Sequence, residues 1–163
     1  MKTLLIVHHS RTGGARQMAE AAATGARSSG DVQVRILPAA SAAPDDLLAA
    51  DGYLFAGPEN LAALSGEMKE FFDRAYYPVL ERINARPYAA LICAGSDGEG
   101  AARQLARIAT GWRLRKIADP IIIITNAQTP EAILAPKQIP QAALQACADL
   151  GAAIAAGLAL GVF

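Results

Sequence analysis

The sequence predicts a doubly wound α/β fold in which five parallel strands, ordered 2-1-3-4-5, carry helices on both faces. Three observations predict it. Short apolar runs recur at residues 3–8, 53–56, 88–94 and 121–124, an alternating run lies at 31–37, and segments of helical period lie between them. Loops rich in glycine, proline or hydroxyl groups follow the first, third and fourth of these five runs in chain order. Right-handed crossovers then place the helices on both faces and the loops at the carboxyl edge, where the strand order reverses.

Residues 3–8 are nearly all apolar, as a parallel strand buried on both faces requires. The period then changes. Ala15, Met18, Ala19, Ala22, Ala23 and Ala26 fall on one helical face, and their small size lets the helix sit close to a sheet. Gly30 is read as the stop and Asp31 as the start of a half-buried strand that alternates to Leu37 and ends at Pro38. A weak helical stretch over 44–50 leads to the third strand, Tyr53-Leu54-Phe55-Ala56, which is expected to end at Gly57-Pro58.

Ser65 is expected to cap the next helix, with Met68, Phe71, Phe72 and Ala75 on its inner face and Pro78 bending or ending it. The fourth strand runs into Gly95-Ser96-Asp97-Gly98-Glu99-Gly100, and Leu105, Ile108, Ala109 and Trp112 give the following helix its buried face. Pro120 starts the fifth strand, whose four isoleucines predict cover on both faces. Residues 126–138 carry two prolines and little period, which predicts an irregular surface segment. A last helix begins near Pro140.

Composition bounds the function. The 163 residues, 53% of them hydrophobic, fit one domain over 1–163 with a single core. Fifteen basic residues balance fifteen acidic ones, which argues against a nucleic-acid footprint or attraction to a membrane surface. Cys93 and Cys147 sit in apolar surroundings without C-x-x-C spacing and read as buried thiols of a reducing compartment. The chain opens on a strand pattern that leaves no room for a signal peptide. The apolar stretch 150–163 is read as too short and too glycine-interrupted to span a bilayer, so the cytoplasm is expected.

Chemistry concentrates in the first loop, Ser10-Arg11-Thr12-Gly13-Gly14-Ala15. There the free amides of a helix start, two hydroxyls and two glycines suit a phosphate. The loop lacks both G-x-x-x-x-G-K-[ST] and G-x-G-x-x-G, which argues against a nucleoside triphosphate or an ordinary dinucleotide fingerprint. Taken alone, those six residues fit a plain strand-to-helix turn equally well. Their Ser-x-Thr-Gly-x-Ala pattern resembles the flavin mononucleotide (FMN) phosphate loop of flavodoxin-like proteins. It departs at the last position, where Ala15 offers no hydroxyl; Arg11 and Arg16 add charge.

The resemblance continues over residues 57–74. There Pro58, Ser65-Gly66, Met68-Lys69 and Phe72-Asp73-Arg74 are similar to the second flavin loop and following helix of flavodoxin-like NAD(P)H-dependent reductases. Leu61-Ala62 stands where relatives often have aromatic-Gly, and residues 95–100 resemble the third loop. The resemblance implies a flavodoxin-like three-layer sandwich. In it Ser10, Arg11, Thr12, Gly13, Gly14 and Ala15 wrap the phosphate of FMN; Pro58, Glu59, Asn60 and Leu61 border the ring; and Gly95, Ser96, Asp97 and Gly98 hold its other edge.

It further implies that the flavin carries the chemistry, with no catalytic side chain and no metal. NAD(P)H would serve as co-substrate and a quinone, free flavin or similar small molecule as electron acceptor. A homodimer or tetramer remains open. The rivals are an electron-transfer flavodoxin, which would want an acidic docking surface, and a fold relative with weak or lost FMN binding. A phosphoryl-receiver domain wants acidic residues where His8-His9 stands.

Several residues carry a bland and a sharp reading. His8 and His9 point to opposite faces of a strand and read as a structural and a loop-entry histidine, with His9 near the phosphate. Asp97 and Glu99 read as turn formers, with contact to a ring amide the sharper reading of Asp97. Arg113, Arg115 and Lys116 read as a solvated face or, more sharply, a nicotinamide-phosphate site. Tyr76, Tyr77 and the Ala/Gly-rich last helix fit either core packing or a subunit contact.

Overall fold

The computed structural model describes residues 1–29 and 32–163. The expected helix stop at Gly30 and strand start at Asp31 lie outside the described residues. In chain order the elements are β1 (Lys2–His8), α1 (Gly14–Ser28), β2 (Val32–Pro38), α2 (Pro44–Ala49), β3 (Gly52–Asn60), β4 (Ala63–Leu64) and α3 (Gly66–Val79). They continue with β5 (Pro87–Ala94), α4 (Glu99–Gly111), β6 (Arg115–Lys116), β7 (Ile121–Ile124), α5 (Pro130–Leu134) and α6 (Gln141–Leu160).

The sheet has the predicted order. β1 pairs in parallel with β2 and β3, β3 with β5, and β5 with both β6 and β7. β7 is the expected fifth strand, intact over Ile121–Ile124 and paired with the carboxyl half of β5; β6 is an additional two-residue strand on the same edge, at the start of β5. Because successive strand residues face opposite sides, the sheet has two distinct cores. Leu5, Val7, Tyr53, Phe55, Ala90 and Ile92 meet Phe71, Phe72 and Trp112 of the α3–α4 layer. Leu4, Ile6, Leu54, Ala56, Leu91 and Cys93 meet the small residues of α1 and the inner face of α6.

Small residues set the α1–α6 distance. A Cβ on Gly25 would lie 1.9 Å from the Ala148 carbonyl oxygen, and one on Gly151 would lie 2.0 Å from that of Ala22. The two backbones touch, so α6 can cover α1 while α1 still reaches the sheet.

Four expectations are corrected. β3 does not stop at Gly57-Pro58; it runs to Asn60 and turns back into β4 as an antiparallel hairpin, with Leu61 and Ala62 at φ 50° and 64°. β7 is covered on both faces only in part, with Ile122 packed against the α3–α4 core and Ile121 and Ile123 against the α1–α6 core. It lies at the sheet edge, so Ile121, Ile122 and Ile123 are half-buried and Ile124 is exposed. The segment expected to be irregular contains α5, opened by Pro130 and capped by the Thr129 hydroxyl, which accepts from the Ala132 amide. Finally, the apolar C-terminal stretch belongs to a helix of 20 residues, which by length and composition alone could cross a membrane; its inner face packs against α1.

Candidate functional site

β1 delivers residues 8–13 to the carboxyl edge of the sheet, between the ends of β2 and β3. Gly13 stands at the N-cap of α1 with φ 93°, a left-handed conformation that suits glycine. Its amide donates to the Ser10 hydroxyl at 3.0 Å, which closes the loop on itself. Among the described residues, the amides of Arg11, Thr12, Gly14, Ala15 and Arg16 find no protein acceptor. An open pocket of about 600 Å³ lies over them, and His8, His9, Ser10, Arg11, Thr12, Gly13, Arg16 and, from α3, Glu67 line it.

Gly14 and Ala15 serve this loop from beneath. Both are buried. A Cβ on Gly14 would fall 2.5 Å from the Cys93 sulfur, so β5 supports the loop directly. The Ala15 methyl faces the α1 core and is 1% exposed, so only its backbone can serve a ligand. Burial raises the Cys93 thiol pKa, with Lys137 opposing, and raises that of Cys147 to about 11.

Gln17 fastens the far wall. Its Nε2 donates to the carbonyls of Gly13 and Lys137, its Oε1 accepts from the Ile139 amide, and the Lys137 amide donates to the Thr12 carbonyl at 2.7 Å. The segment after α5 is therefore held across the loop, which brings Leu134 and Pro136 to the pocket rim.

His9 ties the loop to the next element. Its Nδ1 lies 2.7 Å from the Ser65 hydroxyl and its Nε2 lies 2.5 Å from Glu67 Oε2. A carboxylate only accepts, so Nε2 carries the proton and Ser65 donates to Nδ1. Burial lowers the His9 pKa below 6.5; Glu67 opposes that shift and Arg11 adds to it. Ser65 occupies the N-cap position of α3, but its hydroxyl serves His9 in place of the expected cap bond. His8 is half-buried, its pKa is lowered chiefly by burial, and its Nδ1 has no hydrogen-bond partner among the described residues.

The second and third loops are joined through Glu59. Its carboxylate accepts from the amides of Gly98 (2.9 Å) and Ala101 (3.0 Å), so it occupies the N-terminus of α4. The Leu64 amide donates to Gln104 at 2.7 Å, and a Cβ on Gly100 would lie 2.2 Å from the Ala62 carbonyl oxygen. The β3–β4 hairpin is thus clamped onto α4, with Leu61 fully exposed at its tip.

The predicted residues therefore separate into two groups. Ser10 to Gly13 line the main pocket, and Asn60 joins His9, Arg11, Ser65 and Glu67 around a second pocket of about 470 Å³ on the hairpin side. Pro58 and Glu59 are half-buried behind it. Gly98 is buried, Ser96 and Asp97 are exposed, and none of Gly95, Ser96, Asp97 and Gly98 lines either pocket. The Gly95 carbonyl accepts from Gln128, and Thr125 donates to the Ala94 carbonyl. Sequence reasoning missed Gln17, Glu67, Leu134 and Pro136; their partners are distant along the chain and carry no local signal.

The basic cluster after α4 lies elsewhere. β6 pairs with the first residues of β5, at the opposite end of the sheet from the pocket. There Arg113 meets Glu81, Arg115 lies over the Phe163 ring and Lys116 pairs with Asp119. Tyr76 stacks on Trp112 at 5.9 Å, whereas Tyr77 is exposed.

A doubly wound sheet with an amide-rich loop after its first strand is the architecture of the flavodoxin-like proteins, and solved structures agree. A flavodoxin from the domain Archaea superposes with a TM-score of 0.74 at 20% identity, covering 96% of this chain and 98% of that one. A WrbA-like flavodoxin from Agrobacterium tumefaciens gives 0.75 at 18% identity, covering 99% of each. The rubredoxin oxygen:oxidoreductase of Desulfovibrio gigas gives 0.78 at 15%, covering 99% of this chain and 37% of its own.

The sequence model of the NADPH-dependent FMN reductase family matches residues 27–129, and the chain belongs to that family. A flavodoxin of Aquifex aeolicus is 34% identical over 100 residues, 61% of this chain and 54% of its own. An NAD(P)H dehydrogenase (quinone) of Acidithiobacillus ferrooxidans is 35% identical, covering 45% of this chain and 47% of its own. The matched regions thus span about half the length of these curated relatives.

Proposed function

We propose that the chain, acting as a single domain, binds FMN with its phosphate on residues 10–16 and transfers reducing equivalents from NAD(P)H to a quinone, free flavin or similar small acceptor. One contrast carries the reading. Helices α1 and α4 both start from a left-handed glycine at the carboxyl edge, and a carboxylate of the protein fills the α4 start. Among the described residues no carboxylate accepts from the α1 start, which faces a pocket where Arg11 and Arg16 outnumber the one carboxylate, Glu67, itself paired with His9.

The residues fit the group. Ser10, Arg11, Thr12, Gly13 and Gly14 hold a phosphate through amides, hydroxyls and charge, and Ala15 contributes its amide. Asn60 and Leu61 border the ring from the clamped hairpin, with Pro58 and Glu59 behind them. Gly95, Ser96, Asp97 and Gly98 would hold the ring's other edge on the loop that Glu59 ties to the hairpin at Gly98. When bound, the flavin supplies the redox chemistry between a nicotinamide and the second acceptor. His9 keeps Ser65 and Glu67 beside the phosphate loop, so the two sides of the site keep one spacing. The buried free thiols Cys93 and Cys147 favour work in the reducing cytoplasm.

An electron-carrier role is the second reading, favoured by the flavodoxin relative and opposed by the balanced charge. Anaerobic addition of NADPH or NADH to FMN-loaded protein separates the two. Bleaching that a quinone reverses supports the reductase. A bound flavin that only dithionite reduces supports the carrier, and failure to retain flavin contradicts both.

A further inference from the structure

The hairpin tip and the outer side of α4 form one exposed surface. Gly100, Arg103, Gln104 and Arg107 fall at i, i+3, i+4 and i+7, on one side of the helix. The hairpin touches that side twice. The Leu64 amide donates to Gln104, and Gly100 lies so close beneath the Ala62 carbonyl that a Cβ would come within 2.2 Å of its oxygen. Leu61 at the tip therefore shares a flank with Arg103 and Arg107, and all three side chains are exposed.

This flank is basic, with an apolar point held out of it. Among the described residues neither Arg103 nor Arg107 forms an ion pair. Residues 99–116 carry five basic side chains against one acidic, Glu99, in a chain that has fifteen of each sign. Leu61 and Ala62 both hold a left-handed backbone, at φ 50° and 64°, which L side chains disfavour. Two tertiary clamps thus keep a strained turn that presents a leucine to water, and strain of this kind persists where a surface is used. An apolar contact rimmed by charge is the anatomy of a protein interface.

We propose that this flank docks the acidic face of a one-electron carrier protein, with Leu61 at the centre of the contact and Arg103 and Arg107 at its rim. Its purpose rests on the flavin reading of the site, which places residues 95–98, the loop that opens α4, at the ring. The charge is the reverse of the acidic surface that an electron-carrier flavodoxin would want. Each encounter moves one electron: two carriers are each oxidised by one, one bound flavin is reduced by both, and its protons come from water. A second copy of this chain fits less well, because Glu70 and Asp73, exposed on the neighbouring α3, are already paired with Arg74 and Lys69.

Thermophoresis of the full chain, with and without FMN, against an acidic plant-type ferredoxin and against basic cytochrome c tests the surface. Ferredoxin should bind saturably at about 20 mM salt and at least about tenfold more weakly at about 300 mM. At low salt Arg103→Glu/Arg107→Glu should weaken it at least about tenfold and Leu61→Ser at least about threefold, whereas Arg27→Glu, an exposed charge on α1, should change it less than about twofold. Cytochrome c should bind the double variant better than the wild type. The proposal is overturned by absent ferredoxin binding, by binding indifferent to the double variant, by an equal loss with Arg27→Glu, or by tighter binding of a DNA duplex. Self-association in sedimentation that the double variant abolishes, in place of ferredoxin binding, assigns the surface to a second copy and overturns it too. In FMN-loaded protein, ferredoxin reduced with dithionite and desalted should bleach the flavin with the same dependence on salt and on the arginines; docking without bleaching overturns the carrier. Failure to retain FMN strikes the flavin reading instead, and the binding criteria on the unloaded chain then decide the surface.

Discussion

His9 Nε2 lies 2.5 Å from Glu67 Oε2, which links the loop after β1 to the first turn of α3 across 58 residues of sequence. The same ring holds Ser65 through Nδ1. One imidazole therefore sets the spacing between the two loops that the flavin reading requires.

That imidazole titrates below its ordinary value of 6.5 because burial disfavours the cation. Between the folded and unfolded pKa values the unfolded chain binds more protons, so the stability contributed is complete above about pH 6.5 and is lost as pH falls. His8 shifts in the same direction. Melting temperature is expected to drop between about pH 7 and about pH 5, and more steeply in the wild type than in His9→Gln. Parallel profiles for the two proteins would contradict the link.

Glu59→Gln keeps the shape but removes the charge from the α4 start. The expected loss is about 1 kcal/mol in urea unfolding. FMN affinity should fall with it, because Glu59 joins β3 to the Gly98 amide. Unchanged stability and affinity together would show that the bridge is decorative.

Gly14→Ala would drive a methyl into the Cys93 sulfur. Overpacking of this kind costs about 1–3 kcal/mol. Cys93→Ala removes the sulfur, so the double variant should recover most of the loss, a non-additivity that denaturant melts of the four proteins would reveal.

Ala62→Gly should stabilise the chain by about 0.5–1 kcal/mol, since Ala62 sits at φ 64° in a hairpin turn that favours glycine. A loss of stability in thermal melts would mean that the Ala62 methyl makes a contact outweighing its strain.

The strand order and the helix faces were legible in the sequence because burial imposes a period. Leu5 and Val7 face one core, Leu4 and Ile6 the other, and the alanines of α1 fall in one row. The amide-rich loop after β1 was legible because its residue types are local. The hairpin was hidden, since Leu61-Ala62 lacks the usual turn residues and is held by tertiary clamps at Glu59 and Gln104. Gln17 was hidden for a related reason: its partners at Lys137 and Ile139 lie some 120 residues away. The four isoleucines of β7 marked the strand but overstated its cover, because β-branching reports strand preference and says nothing about an edge position.

The central claim is that residues 10–16 hold the phosphate of a flavin. Its most direct test is parallel fluorescence titration of the protein with FMN and with riboflavin, which differ only in that phosphate. The account predicts saturable quenching with FMN and binding at least about tenfold weaker with riboflavin. Equal affinity for the two, or no saturable binding of FMN, would contradict it.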